Sequence, residues 1–172
     1  TPRTAGYNSV DTAALCPGSK LLTIILMFIG GSSGSTPGGV KTGTLAVLAV
    51  CLASGVVGKR DPEIFGRRIS NDDARRAGVM VFMNLSLALI GALLISLAQD
   101  FELTDILFEV FSAMGTVGMT TGITRELCDF SAVVIVILMY LGRVGSISFA
   151  MALLERRAQA PVRCPEEAVT IG

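Results

Sequence analysis

The sequence predicts an all-α integral membrane protein assembled from repeated units, and three observations predict it. Hydrophobic residues fill 51% of the 172 positions and charged residues only 16%, against about 25% charge in soluble globular domains. Residues 77–98 carry no charge, and 130–154 form a second long apolar run. Each is long enough to cross a hydrocarbon layer, which takes about 20 residues. The chain also matches itself at one constant offset of 112 positions. Thr4-Ala5-Gly6-Tyr7 falls on Thr116-Val117-Gly118-Met119, Met27-Phe28-Ile29-Gly30 on Met139-Tyr140-Leu141-Gly142, and Cys16 on Cys128.

The elements follow in chain order. Residues 1–20 are polar and turn-rich. The apolar run 21–29 is too short to span. It is interrupted by the glycine- and serine-rich stretch 30–39 and resumes at 44–57. Together the two halves would span a membrane, with a non-helical break inside. Such a break is tolerated only where it is buried in protein or lines a water-filled cavity, so it flags function. Residues 58–76 read as a hydrophilic loop with Lys59, Arg60, Arg67, Arg68, Arg75 and Arg76. The run 77–98 then spans alone, with Asn84 and Ser86 expected to face protein. Within 104–114, Ile106, Leu107, Val110, Phe111 and Met114 recur at helical spacing. Thr104 is the expected N-cap, with Asp105 suited to the positive end of the helix dipole. About three turns cannot cross, so this helix is expected to re-enter from one side. The last run, 130–154, holds Arg143 in its middle. A charge at that depth costs about 2.5–3.5 kcal/mol on insertion scales and faces a cavity or a partner.

The basic residues set the orientation. Loop 59–76 and the tail, with Arg156, Arg157 and Arg163, are assigned to the cytoplasm by the positive-inside rule. Residues 99–129 hold only Arg125 against Asp100, Glu102, Asp105, Glu109, Glu126 and Asp129. That side is expected outside, with the acids as a rim that concentrates cations.

Several function classes drop out. There is no basic excess and no Trp, so no nucleic-acid footprint. Without His, the usual general base and the commonest zinc ligand are missing. Cys16, Cys51, Cys128 and Cys164 form no C-x-x-C pair and read as neither disulfide framework nor metal site. No nucleophile is placed beside a base, so the chain is not read as an enzyme.

The short stretch Thr116-Val117-Gly118-Met119-Thr120 joins the re-entrant helix to the last run. It reads either as a tight turn between buried helices or as a loop whose carbonyls replace the hydration shell of a cation. The internal repeat favours the second reading. Each unit is then span, re-entrant pore helix, filter loop and span, one copy complete and one partial. Candidate ion-binding carbonyls are those of Thr4, Ala5, Gly6 and Tyr7 and of Thr116, Val117, Gly118 and Met119. Gly suits Gly6 and Gly118 because positive φ is open to it. The pore helix ends at Met114, which turns its partial negative charge toward the ion. The stretch around Lys41 also brings to mind a phosphate-binding loop, but Gly39-Val40-Lys41 puts a residue between Gly and Lys. Arg143 could snorkel, pair with an acid, hydrogen-bond helix carbonyls or face the pore. With no acid near it in its own run, it is expected to face the pore and touch the 30–39 loop.

These residues resemble the Trk/Ktr/HKT superfamily of potassium transporters, most of all the membrane subunit of bacterial Ktr systems. Arg3-Thr4-Ala5-Gly6-Tyr7-Asn8 looks like a third filter loop and the stretch 116–124 like a fourth. The stretch 30–41 looks like the intramembrane gating loop, and Gly142-Arg143-Val144-Gly145 like the arginine site of the last helix. Tyr7, Met119 and Pro37 depart from the commoner Phe, Leu and Gly. The resemblance implies selective potassium uptake across the plasma membrane, with no cofactor, K+ as the transported ion and Na+ coupling left open. It assigns gating to Gly30, Gly31, Ser32, Ser33, Gly34, Ser35, Thr36, Gly38, Gly39, Lys41 and Arg143. It implies as partners the rest of a four-repeat pore, a second copy in a homodimer and a soluble nucleotide-binding regulatory ring. The expected organisation is 1–58 as the end of a penultimate repeat, 59–76 as a cytoplasmic basic loop, 77–155 as a complete last repeat and 156–172 as a cytoplasmic tail. Two quarter-rings do not close a pore. The chain is therefore expected to be part of a longer transporter; the alternative is a non-transporting fragment or a structural subunit needing other chains.

Overall fold

The computed structural model describes residue 6 and residues 12–32, 38–57, 63–64 and 67–144. Among these the chain is helical: α1 (Pro17–Phe28), α2 (Thr42–Val57), α3 (Asn71–Ala98), α4 (Leu103–Met114) and α5 (Asp129–Val144), with a 3-10 turn at Ile123–Glu126. The exception is a two-rung antiparallel hairpin in the hydrophilic loop, β1 (Glu63–Ile64) against β2 (Arg67–Arg68).

The helix α3 begins before the apolar run that announces it. Ser70 caps it by accepting the Asp73 amide at 3.1 Å, and Asp72 and Asp73 sit in its positive first turn. The hydrophilic stretch 58–76 therefore gives its last residues to the helix. At 28 residues, α3 is about 42 Å long, and it alone among the described helices is long and apolar enough to cross a bilayer. Asn84, buried within it, donates to the Met80 carbonyl one turn earlier at 2.8 Å.

The short helix α4 is the centre of the molecule. Its 12 residues make about 18 Å, too little to cross. It packs against α1, α3 and α5. Ile106 and every residue from Phe108 to Met114 are buried, and Phe28 of α1 meets Phe111 edge to face at 5.7 Å. The expected cap is corrected here. Glu102 occupies the N-cap without a side-chain bond, and Thr104 lies inside the helix with its buried hydroxyl unpartnered.

Outside this core the surface is apolar: Leu21, Leu22 and Ile25 on α1, Phe82, Leu93 and Leu97 on α3, and Val133, Val136 and Tyr140 on α5 are all exposed. The buried side chains include Lys20, Asn84, Glu109, Ser112 and Ser131. An apolar exterior around a polar-seeded core is what a lipid solvent selects.

The offset found in the sequence recurs in the structure. The first residues of α1 and α5, Pro17 and Asp129, stand 112 positions apart. Before each helix a cysteine thiol meets a serine hydroxyl three residues on, Cys16 with Ser19 at 3.1 Å and Cys128 with Ser131 at 3.3 Å. The serine hydrogen bond holds each thiol below its ordinary pKa.

Candidate functional site

The site is built on the C-terminal end of α4. The chain turns back there because the last helix carbonyls find donors at once. Gly115 N–H donates to the Phe111 carbonyl at 2.9 Å, Thr116 N–H to Ala113 at 3.1 Å and Val117 N–H to Ser112 at 2.9 Å. Thr116 (φ 51°) has the only positive φ outside glycine among the described residues, and Gly118 follows at φ 80°. A β-branched residue in that region costs about 1–3 kcal/mol and persists only when its surroundings hold it. Part of the hold is visible: the Thr116 hydroxyl accepts the Gly38 amide at 3.1 Å.

The outer limb of this loop is held by α4 itself. Ser112 Oγ donates to the Met119 carbonyl at 2.5 Å and accepts the Met119 amide at 3.1 Å. One turn earlier, the Glu109 carboxylate accepts the Thr120 hydroxyl and, at 3.2 Å, the Thr121 amide. The hydroxyl of Thr12, from the chain segment before α1, donates to the Thr120 carbonyl.

Gly6 and Gly118, expected to be equivalent, lie side by side. Both have positive φ, 70° and 80°. A Cβ built on Gly6 would stand 3.2 Å from the Val117 carbonyl oxygen and 3.9 Å from the Gly118 Cα. Of the other candidate filter residues, Val117 is buried and Gly118 exposed. Thr4, Ala5 and Tyr7 lie outside the described residues.

Three backbone segments converge below the loop. A Cβ on Gly142 of α5 would come within 2.1 Å of the Met114 carbonyl oxygen, and one on Gly38 within 2.8 Å of the same atom and 2.9 Å of the Gly142 carbonyl. The 30–41 stretch is stitched at its base, where Gly30 N–H donates to the Val40 carbonyl at 2.8 Å and Thr42 N–H to Gly31 at 3.2 Å. Gly30 and Gly38 are buried, Gly31 and Gly39 half-buried, Ser32 and Lys41 exposed. Ser33, Gly34, Ser35 and Thr36 lie outside the described residues, as does Pro37. A phosphate loop follows a strand; here the helix α1 precedes, so that reading falls.

A cleft of about 1110 Å³ runs along the Thr116-to-Thr120 loop. It is lined by Thr12, Glu109, Ser112, Thr116, Gly118, the Thr120–Thr124 region, Arg125, Met139 and Arg143. Arg143 thus shares a cavity with the loop that precedes it by a whole helix. Two of the six acids expected as a rim are turned inward, and Asp100, Glu102, Glu126 and Asp129 are exposed. Asp105 is taken by Lys20 of α1 in a mostly buried ion pair of 2.8 Å, and Glu109 is buried against the loop. Asp100, Glu102, Glu126 and Asp129 do not line the cleft, whereas Arg125 does. Net charge by stretch says nothing about where each side chain points. Glu109 and Ser112 had a signal that could have found them: two polar residues three apart in the otherwise apolar run from Ile106 to Met114.

The comparisons with known proteins agree with one another. The family model described as TrkH, a cation transport protein, matches residues 1–159. The potassium/sodium uptake protein NtpJ of Enterococcus hirae is 42% identical over 100% of this chain and 40% of its own length. The Ktr system potassium uptake protein B of Bacillus subtilis is 34% identical over 100% of this chain and 38% of its own. Its namesake in Vibrio alginolyticus is 30% identical over 99% of this chain and 37% of its own. The chain therefore spans about 40% of the length of the curated relatives it matches. A chain whose described core is helical and whose every segment, from the Gly6 bend to the end of α5, aligns with these proteins belongs to the TrkH family of cation transport proteins.

Proposed function

We propose that this chain forms two of four quarters of a pore for selective potassium uptake across the plasma membrane. The observation that carries the reading is the approach of Gly6 and Gly118, two left-handed glycines from equivalent positions. Carbonyls of Thr4, Ala5 and Gly6 and of Thr116, Val117 and Gly118 replace water around the ion, with Tyr7 and Met119 at the outer ends. Below them the stretch from Gly30 to Lys41 narrows the path, and Arg143 opposes cations there until the stretch moves or an ion arrives. The contact of Gly38 with Thr116 and with the Gly142 backbone supports this coupling of loop, filter and arginine. The printed names of the relatives, potassium or potassium/sodium uptake, support the ion class. The complete transporter is multi-pass, works as a homodimer on a nucleotide-binding ring and keeps its C-terminus in the cytoplasm.

The test is rubidium uptake by cells lacking their own potassium uptake systems that express the native coding sequence containing this chain. Uptake is expected, and Gly118→Ser is expected to lower potassium-over-sodium preference about tenfold or more, since a Cβ strains the φ of 80° and crowds the ion path. Unchanged preference sinks the carbonyl ring.

Topology has its own test. Cys16 is exposed on the side assigned to the exterior, and the Ser19 hydrogen bond lowers the pKa of its thiol, which raises its thiolate fraction. A membrane-impermeant maleimide is expected to label Cys16 in intact cells, and Cys164 only after permeabilisation. Ser19→Ala, which removes the largest cause of the shift, is expected to slow the labelling at neutral pH, and less as the pH rises. Labelling of Cys164 from outside would reverse the orientation.

A further inference from the structure

The filter reading leaves two buried polar side chains of α4 without a task. Glu109 is 6% exposed and Ser112 4% exposed. A buried carboxylate in a helix surrounded by apolar residues is costly unless hydrogen bonds satisfy it. Both of these residues direct their bonds to the same place, the outer limb of the Thr116-to-Thr120 loop. Ser112 uses one oxygen to hold both backbone groups of Met119, and Glu109 holds the next two residues. The spacing makes this work: residues three apart lie on one face of a helix, one turn above the other.

We infer that Glu109 and Ser112 are positioning residues that set which carbonyls of this quarter face the ion, by drawing the Met119 carbonyl back onto α4. This rests on the filter reading above. The inner limb, residues 116–118, has its amides tied to the end of α4 or bent by positive φ, and no described side chain takes the Val117 carbonyl. At Met119 the hydroxyl of Ser112 claims the carbonyl oxygen at hydrogen-bond distance. The quarter therefore offers its inner carbonyls to the ion, and the clamp marks where the series ends. Thr12 extends the clamp to the neighbouring repeat by donating to the Thr120 carbonyl, so the two quarters are held in one register on the outer side.

A clamp of this kind acts on selectivity more than on the amount of folded protein. Ser112→Ala removes one oxygen from the protein and frees both backbone groups of Met119. The expected result is a three- to tenfold fall in potassium-over-sodium preference, the scale of one or two lost hydrogen bonds. Ser112→Thr, which keeps the hydroxyl, restores it. Glu109→Leu is expected to do the same, with Glu109→Gln intermediate, because the amide oxygen still accepts one donor. Rubidium uptake is measured with sodium as competitor in the native full-length protein, normalised to membrane content. If Glu109→Leu fails to reach the membrane, the Ser112 pair decides alone. Unchanged preference in Ser112→Ala while Gly118→Ser shifts it overturns the clamp and leaves the filter standing. Unchanged preference in both removes the filter reading and the clamp with it.

Discussion

Gly142→Ala is expected to abolish uptake and to lower the yield of folded protein sharply. The new Cβ would stand 2.1 Å from the carbonyl oxygen of Met114 and within 3 Å of that residue's Cα and carbonyl carbon. The obstacle is backbone at the end of the central helix, so no rotamer change relieves it. Alanine in a helix would gain about 1 kcal/mol in propensity over glycine. Overpacking a closed site costs about 1–3 kcal/mol and occasionally more, and here two whole segments must part. The same shift would lever Gly38 and Thr116 away from each other, since both touch this point. Gly78→Ala is the control. It lies in α3 with nothing within 4 Å of its would-be Cβ, and it should be neutral or slightly stabilising. Melting temperature in detergent and rubidium uptake read the two variants. Wild-type behaviour of Gly142→Ala would mean that α5 does not close on α4 as described.

Lys20→Met is expected to destabilise the protein by about 3 kcal/mol. The ion pair with Asp105 is largely buried, with side-chain exposures of 11% and 19%. Exposed pairs contribute about 0–1 kcal/mol, but removing one partner of a buried pair strands the other and costs about 3–5 kcal/mol. Against a total stability of about 5–15 kcal/mol, that is a large share. The double variant Lys20→Met with Asp105→Leu is expected to recover most of the loss, because no charge is left uncompensated. The position equivalent to Lys20 in the second repeat is Ala132, so α5 carries no lysine there to make the same tie. Thermal unfolding in detergent decides. Equal melting of the single variant and the native chain would show that the pair is solvated.

The sequence alone determined the helical class, the long span, the break between α1 and α2, the short central helix and the 112-residue repeat. Each of these is written in local periodicity, in run length or in self-similarity, and each survives without knowing what touches what. It also marked Gly6, Gly118, Gly142 and Arg143, because glycine and charge are conspicuous inside apolar runs. Contacts at long range were decided only by tertiary structure. The meeting of Gly38, Met114 and Gly142 joins segments from three elements, and no spacing encodes it. The acids near α4 looked alike in a charge count, yet folding sent Asp105 to Lys20, buried Glu109 behind the loop and left others in solvent. A carboxylate is a rim charge or a backbone clamp according to its neighbours, and only packing chooses them.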